Sequence, residues 1–131
     1  MILTTKARYA VMAIIEIASQ PNQKPISLKE ISTSQNISLS YLEQIFASLK
    51  QHDLVKSIRG PVGGYILSRD KSLITISDII KAIDEPIKMT RCSTKSLGCN
   101  NNNTKCKTHN LWHGLENRIY EYLNSISIDK I

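Results

Sequence analysis

Two short amphipathic segments, residues 27–35 and 38–51, follow each other directly and limit the possible folds more than any other feature. The first opens at Ser27, and Glu30 three residues later completes a capping-box pattern, which signals a helix start. Asn36 follows in SQNIS, where its tolerance of left-handed backbone favours a tight turn. The next helix starts at Ser38 or Ser40 and carries its apolar residues on one face: Leu42, Ile45, Phe46 and Leu49. Two short helices joined by a tight turn predict a helix-turn-helix.

A predicted β-hairpin comes directly after these helices. The β-branched run LVKSI is followed by RGPVGG and then by YILS, which is typical of two short strands around a Gly/Pro-rich turn. A helix-turn-helix followed at once by a hairpin is the winged-helix arrangement, whose second short helix can enter the major groove of DNA. The predicted fold class is therefore mainly α with a small β-hairpin: a winged helix-turn-helix plus a long C-terminal dimerisation helix.

The outer helices complete the predicted organisation. Thr4 or Thr5 can cap a first helix, Thr75 and Asp78 form the start signal of a fourth, and a last helix begins near Thr108. The last helix carries a long apolar stripe: Leu111, Trp112, Leu115, Ile119, Tyr122, Leu123 and Ile126. A small domain cannot cover such a stripe alone, so we expect a homodimer through Leu115, Ile119 and Tyr122. We predict a DNA-binding domain at 1–86, a cysteine loop at 87–108, and a dimerisation helix with a tail at 109–131.

The exposed side of the third helix and the hairpin supplies the candidate DNA contacts. Gln44 has the two hydrogen-bonding groups that match adenine, and Arg59 at the hairpin turn suits a narrow A·T-rich minor groove. Glu43 can accept from cytosine N4, or it can close a second capping box with Ser40. Serine hydroxyls near a helix N-terminus suit phosphate contacts. The predicted set is Ser38, Ser40, Tyr41, Glu43, Gln44 and Arg59.

Charge and composition indicate which kinds of partner the protein can bind. The net charge of +6 and the pI of about 9.3 favour a polyanionic partner, although a merely soluble basic protein has the same balance. No apolar run is long enough for a transmembrane helix.

The sequence shows no Ser/His/Asp set, paired carboxylates or phosphate loop, and GPVGG lies in the hairpin, so we expect no enzyme. A winged helix that binds only other proteins is the remaining alternative, and salt-sensitive binding to duplex DNA distinguishes the two.

All three cysteines lie in one polar, basic segment, RCSTKSLGCNNNNTKCKTHNLW. An odd number of cysteines favours a reducing compartment, so we expect a cytoplasmic protein. Lys88, Arg91, Lys95, Lys105 and Lys107 surround the thiols, and residues 88–107 contain no acidic residue. Nearby cations favour the thiolate form, which is the form that binds metals.

Three cysteines and a histidine form a candidate metal-ligand set. His109 lies three residues after Cys106, so both side chains can reach one metal site. Six residues separate Cys92 from Cys99, and six separate Cys99 from Cys106. The Cys₃His pattern by itself favours structural zinc, although wide gaps without a tight cysteine pair suit an iron–sulfur cluster. A redox-sensing disulfide remains open as a side reaction, and His113, one turn beyond His109, is an alternative ligand.

Four blocks in the same order resemble the IscR family of iron–sulfur cluster-binding winged-helix transcription regulators: LTTKARYAVMAI, ISLSYLEQIF, SIRGPVGGYIL and CKTHNLW. The resemblance implies a homodimeric repressor or activator that binds an inverted-repeat DNA operator and controls iron–sulfur cluster assembly genes. It also implies one 2Fe–2S cluster per subunit, with Cys92, Cys99, Cys106 and His109 as ligands. Each gap between the cysteines is one residue longer here than in the family pattern.

Overall fold

The structure, a computed structural model, describes residues 3–90 and 104–131. Within these ranges the chain forms five α-helices and one two-stranded antiparallel hairpin, as the sequence predicts. The elements are α1 (Thr5–Ala18), α2 (Leu28–Gln35), α3 (Leu39–Gln51), β1 (Val55–Ile58), β2 (Gly64–Leu67), α4 (Ile76–Ala82) and α5 (His109–Asn124). None of the helices in the described ranges is long and apolar enough to cross a membrane.

The core lies where α1 to α4 meet. Thr4 caps α1 by accepting from the Ala7 N–H at 3.1 Å, and the small residues of α1 allow its neighbours to approach closely. Glu16 of α1 accepts hydrogen bonds from the side chains of Ser34 and Gln35, which fixes α2 across it. The largest fully buried side chains come from all four helices and from the residues beside them: Phe46, Ile14, Ile31, Leu42, Ile45, Leu49, Leu54, Ile74, Ile79 and Ile83.

The turn between α2 and α3 has the predicted geometry. Asn36 ends α2 in the left-handed conformation, with φ 54° and ψ 48°. Ser38 then caps α3 by accepting from the Tyr41 N–H at 3.3 Å. The second predicted capping box, between Ser40 and Glu43, is wrong because α3 already begins at Leu39 and the Ser40 hydroxyl bonds to that of Ser38 at 3.0 Å. Glu43 therefore lies beyond the first turn of the helix.

The hairpin packs against the helix-turn-helix through its inner face. Ser57 pairs with Tyr65 in the ladder, and the Tyr65 ring meets that of Phe46 edge-on with centroids 4.8 Å apart. Tyr65 also exchanges two backbone hydrogen bonds with Ile26, at 2.8 and 3.2 Å. Gly64 makes this approach possible, since an added Cβ would lie 2.4 Å from the Ile26 carbonyl. The hairpin of β1 and β2, which we call the wing, is thereby fixed next to the start of α2.

The last residues return to the core, which the sequence did not indicate. Helix α5 ends at Asn124, two residues before Ile126. The Ile76 N–H donates to the Ile126 carbonyl at 3.0 Å, the Ile128 N–H donates to Ile74 at 2.9 Å, and the Ile128 side chain is buried. The Asn124 side chain accepts from the Ser77 hydroxyl at 2.8 Å, so the end of α5 is fixed at the start of α4.

The capping box of α2 gives a prediction for acid titration. Hydrogen bonds from Ser27, first of all its backbone N–H at 2.8 Å, hold the pKa of Glu30 below its ordinary value. A lowered folded-state pKa stabilises the helix start above the unfolded pKa, and this contribution is lost as pH falls through the folded pKa. We expect Ser27→Ala to raise the Glu30 pKa only in part, because the hydroxyl is lost while the backbone N–H remains. The lost helix cap should cost about 1 kcal/mol of stability. Carboxyl ¹³C shifts followed by NMR check this, and the lowered pKa of Asp70, held by Ser72, should not change.

Candidate functional site

The outward side of α3 forms a nearly uncharged strip. Ser40, Gln44, Ala47 and Gln51 recur at intervals of three or four residues, and all are exposed. The first turn contains no acidic residue, so the partial positive charge of the helix N-terminus stays uncompensated. Short polar side chains at such a helix end can approach phosphates and base edges closely. The strip has the shape and polarity of a major-groove reading surface.

The predicted contact residues differ in how freely they can reach DNA. Ser38, Glu43 and Gln44 are exposed, and the described hydrogen bonds give the side chains of Glu43 and Gln44 no protein partner. Tyr41 is half-buried, because its ring packs edge-on against Tyr9 of α1 with centroids 5.8 Å apart. Tyr41 therefore also supports the position of α3.

The hairpin is held beside the last turn of α3. The Lys50 ammonium donates to the Ser57 hydroxyl at 3.1 Å, which joins the last turn of α3 to β1. Arg59 follows β1 directly and is exposed at the turn, which the Gly63 N–H closes onto the Gly60 carbonyl at 3.0 Å. The Lys50 contact was not predicted, since no local signal shows which hairpin residue will face α3.

Two of the four predicted cluster ligands lie in the described part of the chain. Cys106 precedes α5 and His109 is its first residue, and the His109 N–H donates to the Cys106 carbonyl at 3.1 Å. Both side chains are half-buried, and Lys105 and Lys107 beside them are exposed. Cys92 and Cys99 lie outside the described residues. Within the ranges 3–90 and 104–131, no three His, Cys, Asp or Glu side chains form a metal-binding group.

His113 lies close to the predicted ligand His109. Their rings stack with centroids 6.0 Å apart and an interplanar angle of 19°, and His113 Nδ1 lies 4.0 Å from Glu116 Oε2. Glu116 Oε1 in turn accepts the Met89 N–H at 2.6 Å. Glu116 was missed in the sequence, because a lone acidic residue on a polar helix face gives no sign of a contact with a distant backbone group.

Helix α5 leaves most of its apolar stripe exposed, while Leu123 and the following Ile126 pack against the core. The whole helix is described, and none of its residues is buried. Among the predicted dimer residues, Leu115 is 39% exposed and Tyr122 is 65% exposed, and Ile119 is half-buried. An apolar groove of about 670 Å³ runs between α1, α4 and α5, lined mainly by Leu3, Val11, Met12, Ile80, Ile119 and Leu123. Exposed apolar surface of this kind is typical of interaction sites in proteins.

Comparison with known proteins identifies the family. The Rrf2 family model, described as an iron-dependent transcriptional regulator, matches residues 3–131. The HTH-type transcriptional regulator IscR of Sodalis glossinidius is 47% identical over 129 residues, which cover 98% of this chain and 77% of the relative. The IscR of Yersinia pestis is 46% identical with the same coverage.

Solved structures of similar proteins have the same fold over nearly the full chain. CymR (YrzC), the global cysteine regulator of B. subtilis, superposes with a TM-score of 0.82 at 32% identity, covering 99% of this chain and 95% of that chain. The T. potens IscR superposes with a TM-score of 0.77 at 35% identity, covering 99% of this chain and 85% of that chain.

These relatives are named as transcriptional regulators, which confirms the prediction that the chain is not an enzyme. The winged helix, the exposed polar strip of α3 and the basic composition agree with that class of protein. The chain therefore belongs to the Rrf2 family of DNA-binding transcription regulators.

Proposed function

We propose that this regulator senses iron–sulfur cluster status through one bound 2Fe–2S cluster per subunit and controls genes for iron–sulfur cluster assembly. Cys92, Cys99, Cys106 and His109 are the proposed ligands. The main support is the position of Cys106 and His109 together at the start of α5, next to a stretch rich in cations. The identity of 46–47% with proteins named IscR supports the assignment of the cluster.

The donor set fits this cofactor. A 2Fe–2S cluster needs four ligands, and thiolates with imidazole are ligands that its irons accept. Three thiolates on an oxidised core of charge +2 leave about −1, which the five cations of residues 88–107 can balance. Cys106 also precedes the N-terminus of α5, whose first turn contains no acid, and a helix N-terminus favours a thiolate.

A bound cluster would make the winged helix respond to the redox state and to the supply of iron. When bound, a cluster supplies a reversible one-electron couple and a structure that is lost when iron or sulfide is scarce. The loop that would hold it joins α4 of the winged helix to α5. Asn124 fixes the far end of α5 to Ser77 of α4, so a change in the position of α5 can reach the winged helix directly.

The proposed active form is a homodimer that uses α5 and the groove beside it. Burial of one exposed leucine side chain stabilises by about 1.5–3 kcal/mol, and α5 presents several apolar side chains. A symmetric dimer requires an inverted-repeat operator, with half-sites about one helical turn apart so that both α3 helices reach major grooves on one side.

Gln44 is the proposed base-reading residue on α3. Gln44→Ala should weaken binding to the cognate operator by about 1–3 kcal/mol and relax specificity at one adenine. Gln51→Ala is the matched control, because Gln51 is the same residue type on the same exposed strip but at the C-terminal end of α3. Titration of both variants against single-base operator variants at one salt concentration measures the effect. Equal losses for the two variants would remove the reading role from Gln44.

Arg59 is proposed to enter the minor groove beside each half-site. Arg59→Ala should weaken binding more at operators with A·T-rich flanks than at operators with G·C-rich flanks, because a narrow A·T groove attracts arginine. Arg69→Ala is the control, since Arg69 is an exposed arginine that follows β2, at the opposite end of the hairpin from the turn. A loss of affinity that does not depend on the composition of the flanks would mean that Arg59 contacts only phosphate.

The proposed cofactor is tested by purifying the wild-type chain under anaerobic conditions. We expect coloured protein with two irons and two acid-labile sulfides per chain and the visible absorption of a 2Fe–2S centre. Colourless protein with stoichiometric zinc would falsify the cluster and favour a winged-helix regulator with a structural zinc site. Colourless protein without metal, and with a disulfide that forms in air, would favour a redox-sensing thiol site.

A further inference from the structure

The carboxylate of Glu116 connects two parts of the chain that are far apart in sequence. Its Oε1 accepts the Met89 backbone N–H at 2.6 Å, and its Oε2 lies 4.0 Å from His113 Nδ1. The side chain is only 18% exposed, whereas Glu121, the next acidic residue on the same helix, is 69% exposed and lies 3.7 Å from Arg118. Glu116 is thus held between α5 and the segment that follows α4.

These contacts lie at both ends of the cysteine loop. Met89 precedes Cys92 by three positions, so it belongs to the segment by which the chain enters the loop. His113 stacks on His109, the proposed ligand at the end of the loop, with ring centroids 6.0 Å apart. The path from Met89 through Glu116 and His113 to His109 therefore joins the two ends without passing through the loop itself.

We infer that Glu116 is a positioning residue that closes the base of the cysteine loop and holds His113 against His109. This inference rests on the proposed cluster for its purpose, but the closure itself does not need the cluster. A partly buried carboxylate accepts a backbone hydrogen bond more strongly than a neutral acceptor does. Residues that orient ligands in this way typically affect metal affinity without touching the metal.

The closure is tested first in the cluster-free full chain, by hydrogen exchange of the Met89 amide measured with NMR. Glu116→Ala should make this amide exchange about tenfold faster, because its charged acceptor is lost. Glu116→Gln should largely restore protection, since the amide oxygen can still accept. Glu121→Ala also removes a glutamate from α5, and in this control the Met89 amide should exchange as fast as in wild type. Unchanged exchange in Glu116→Ala would overturn the inference, whatever the wild type binds.

The effect on the cluster is measured separately, on anaerobically reconstituted protein. Glu116→Ala should hold cluster about tenfold less tightly than wild type and Glu121→Ala. Glu116→Gln should retain the cluster but shift its visible spectrum or its reduction potential, because the charge beside His113 is gone while the hydrogen bond to Met89 remains. Equal affinity and spectra for all four proteins would overturn the positioning role. Failure of the wild type to take up a cluster would overturn the proposed cofactor, and the exchange experiment would still decide the closure.

Discussion

Alanine at any one of Cys92, Cys99 or Cys106 should give protein that purifies anaerobically with less than roughly a tenth of the wild-type iron–sulfur content, since even outer-shell partners change metal affinity by about 10–100-fold. The physical reason is that each thiolate supplies both a coordination bond and a negative charge that the core needs. His109→Ala should lose the least cluster, because its neutral imidazole contributes no charge and the three thiolates remain. Iron and acid-labile sulfide per chain, together with visible absorption, measure the effect.

The matched control for these variants is His52→Ala. His52 caps the end of α3, where its Nδ1 lies 2.9 Å from the Ser48 carbonyl, so its loss should not change cluster content. His113→Ala is a separate test, because His113 stacks on His109 and is the alternative fourth ligand. If the cysteine variants keep full cluster content, the proposed ligand set is wrong. If His113→Ala loses more cluster than His109→Ala, the fourth ligand is His113.

Leu115→Glu should convert the dimer to monomers at micromolar concentration. Leu115 lies on the apolar stripe of α5, and a carboxylate buried there without a partner costs at least about 3 kcal/mol, which weakens association more than 100-fold. Ile119→Glu, one turn further along, should act in the same way. Sedimentation velocity measures the change. Each monomer then binds one operator half-site without its partner. The affinity of the protein for the inverted repeat should therefore fall by a similar factor.

Asn117→Glu is the control for the dimer variants, because it adds the same charge to α5. At 100° per residue, Asn117 lies 200° from Leu115, on the other side of the helix from the apolar stripe. This variant should remain dimeric and keep its affinity for the operator. A wild-type protein that sediments as a monomer at micromolar concentration would contradict the proposed interface, and so would dissociation by Asn117→Glu but not by Leu115→Glu.

Local signals were sufficient to predict the winged helix. The Ser27 and Thr75 capping boxes are both present, and Asn36 adopts the left-handed conformation that ends α2. Each of these features depends on hydrogen bonds or backbone preferences within a few residues, so the sequence contains the necessary information. The β-hairpin was predictable for the same reason, because β-branched residues flank a turn that contains several glycines.

The start of α3 shows where a local pattern misleads. Both Ser38 and Ser40 can cap a helix, but Ser38 places Ile37 just before the cap and Leu42 at the fourth helical position, and both side chains are buried. These are the positions of a hydrophobic staple. A cap at Ser40 would put Leu39, which is 41% exposed, in the place of Ile37. Burial of Ile37 therefore decides the boundary, and the staple pattern is the signal that distinguishes the two serines.

Contacts between distant segments could not be predicted from one sequence. The return of Ile128 to the core, the bond from Lys50 to Ser57 and the contact of Glu116 with Met89 all join residues whose spacing carries no periodic signal. They depend on how α5 and the hairpin pack as units. The predicted roles of Cys92 and Cys99 rest on their residue type, their charged surroundings and the family resemblance, and both residues lie outside the described ranges.

The central claim is that cluster status changes which operators the dimer selects. The most direct test is selection from a randomised duplex pool with cluster-loaded wild type and with Cys92→Ala, at one fixed salt concentration so that phosphate contacts contribute equally. We expect the two forms to enrich different sequences, because the cysteine loop joins α4 of the winged helix to the dimer helix α5. Identical sequence preferences for both forms would contradict the switch and leave a DNA-binding regulator that does not respond to its cluster.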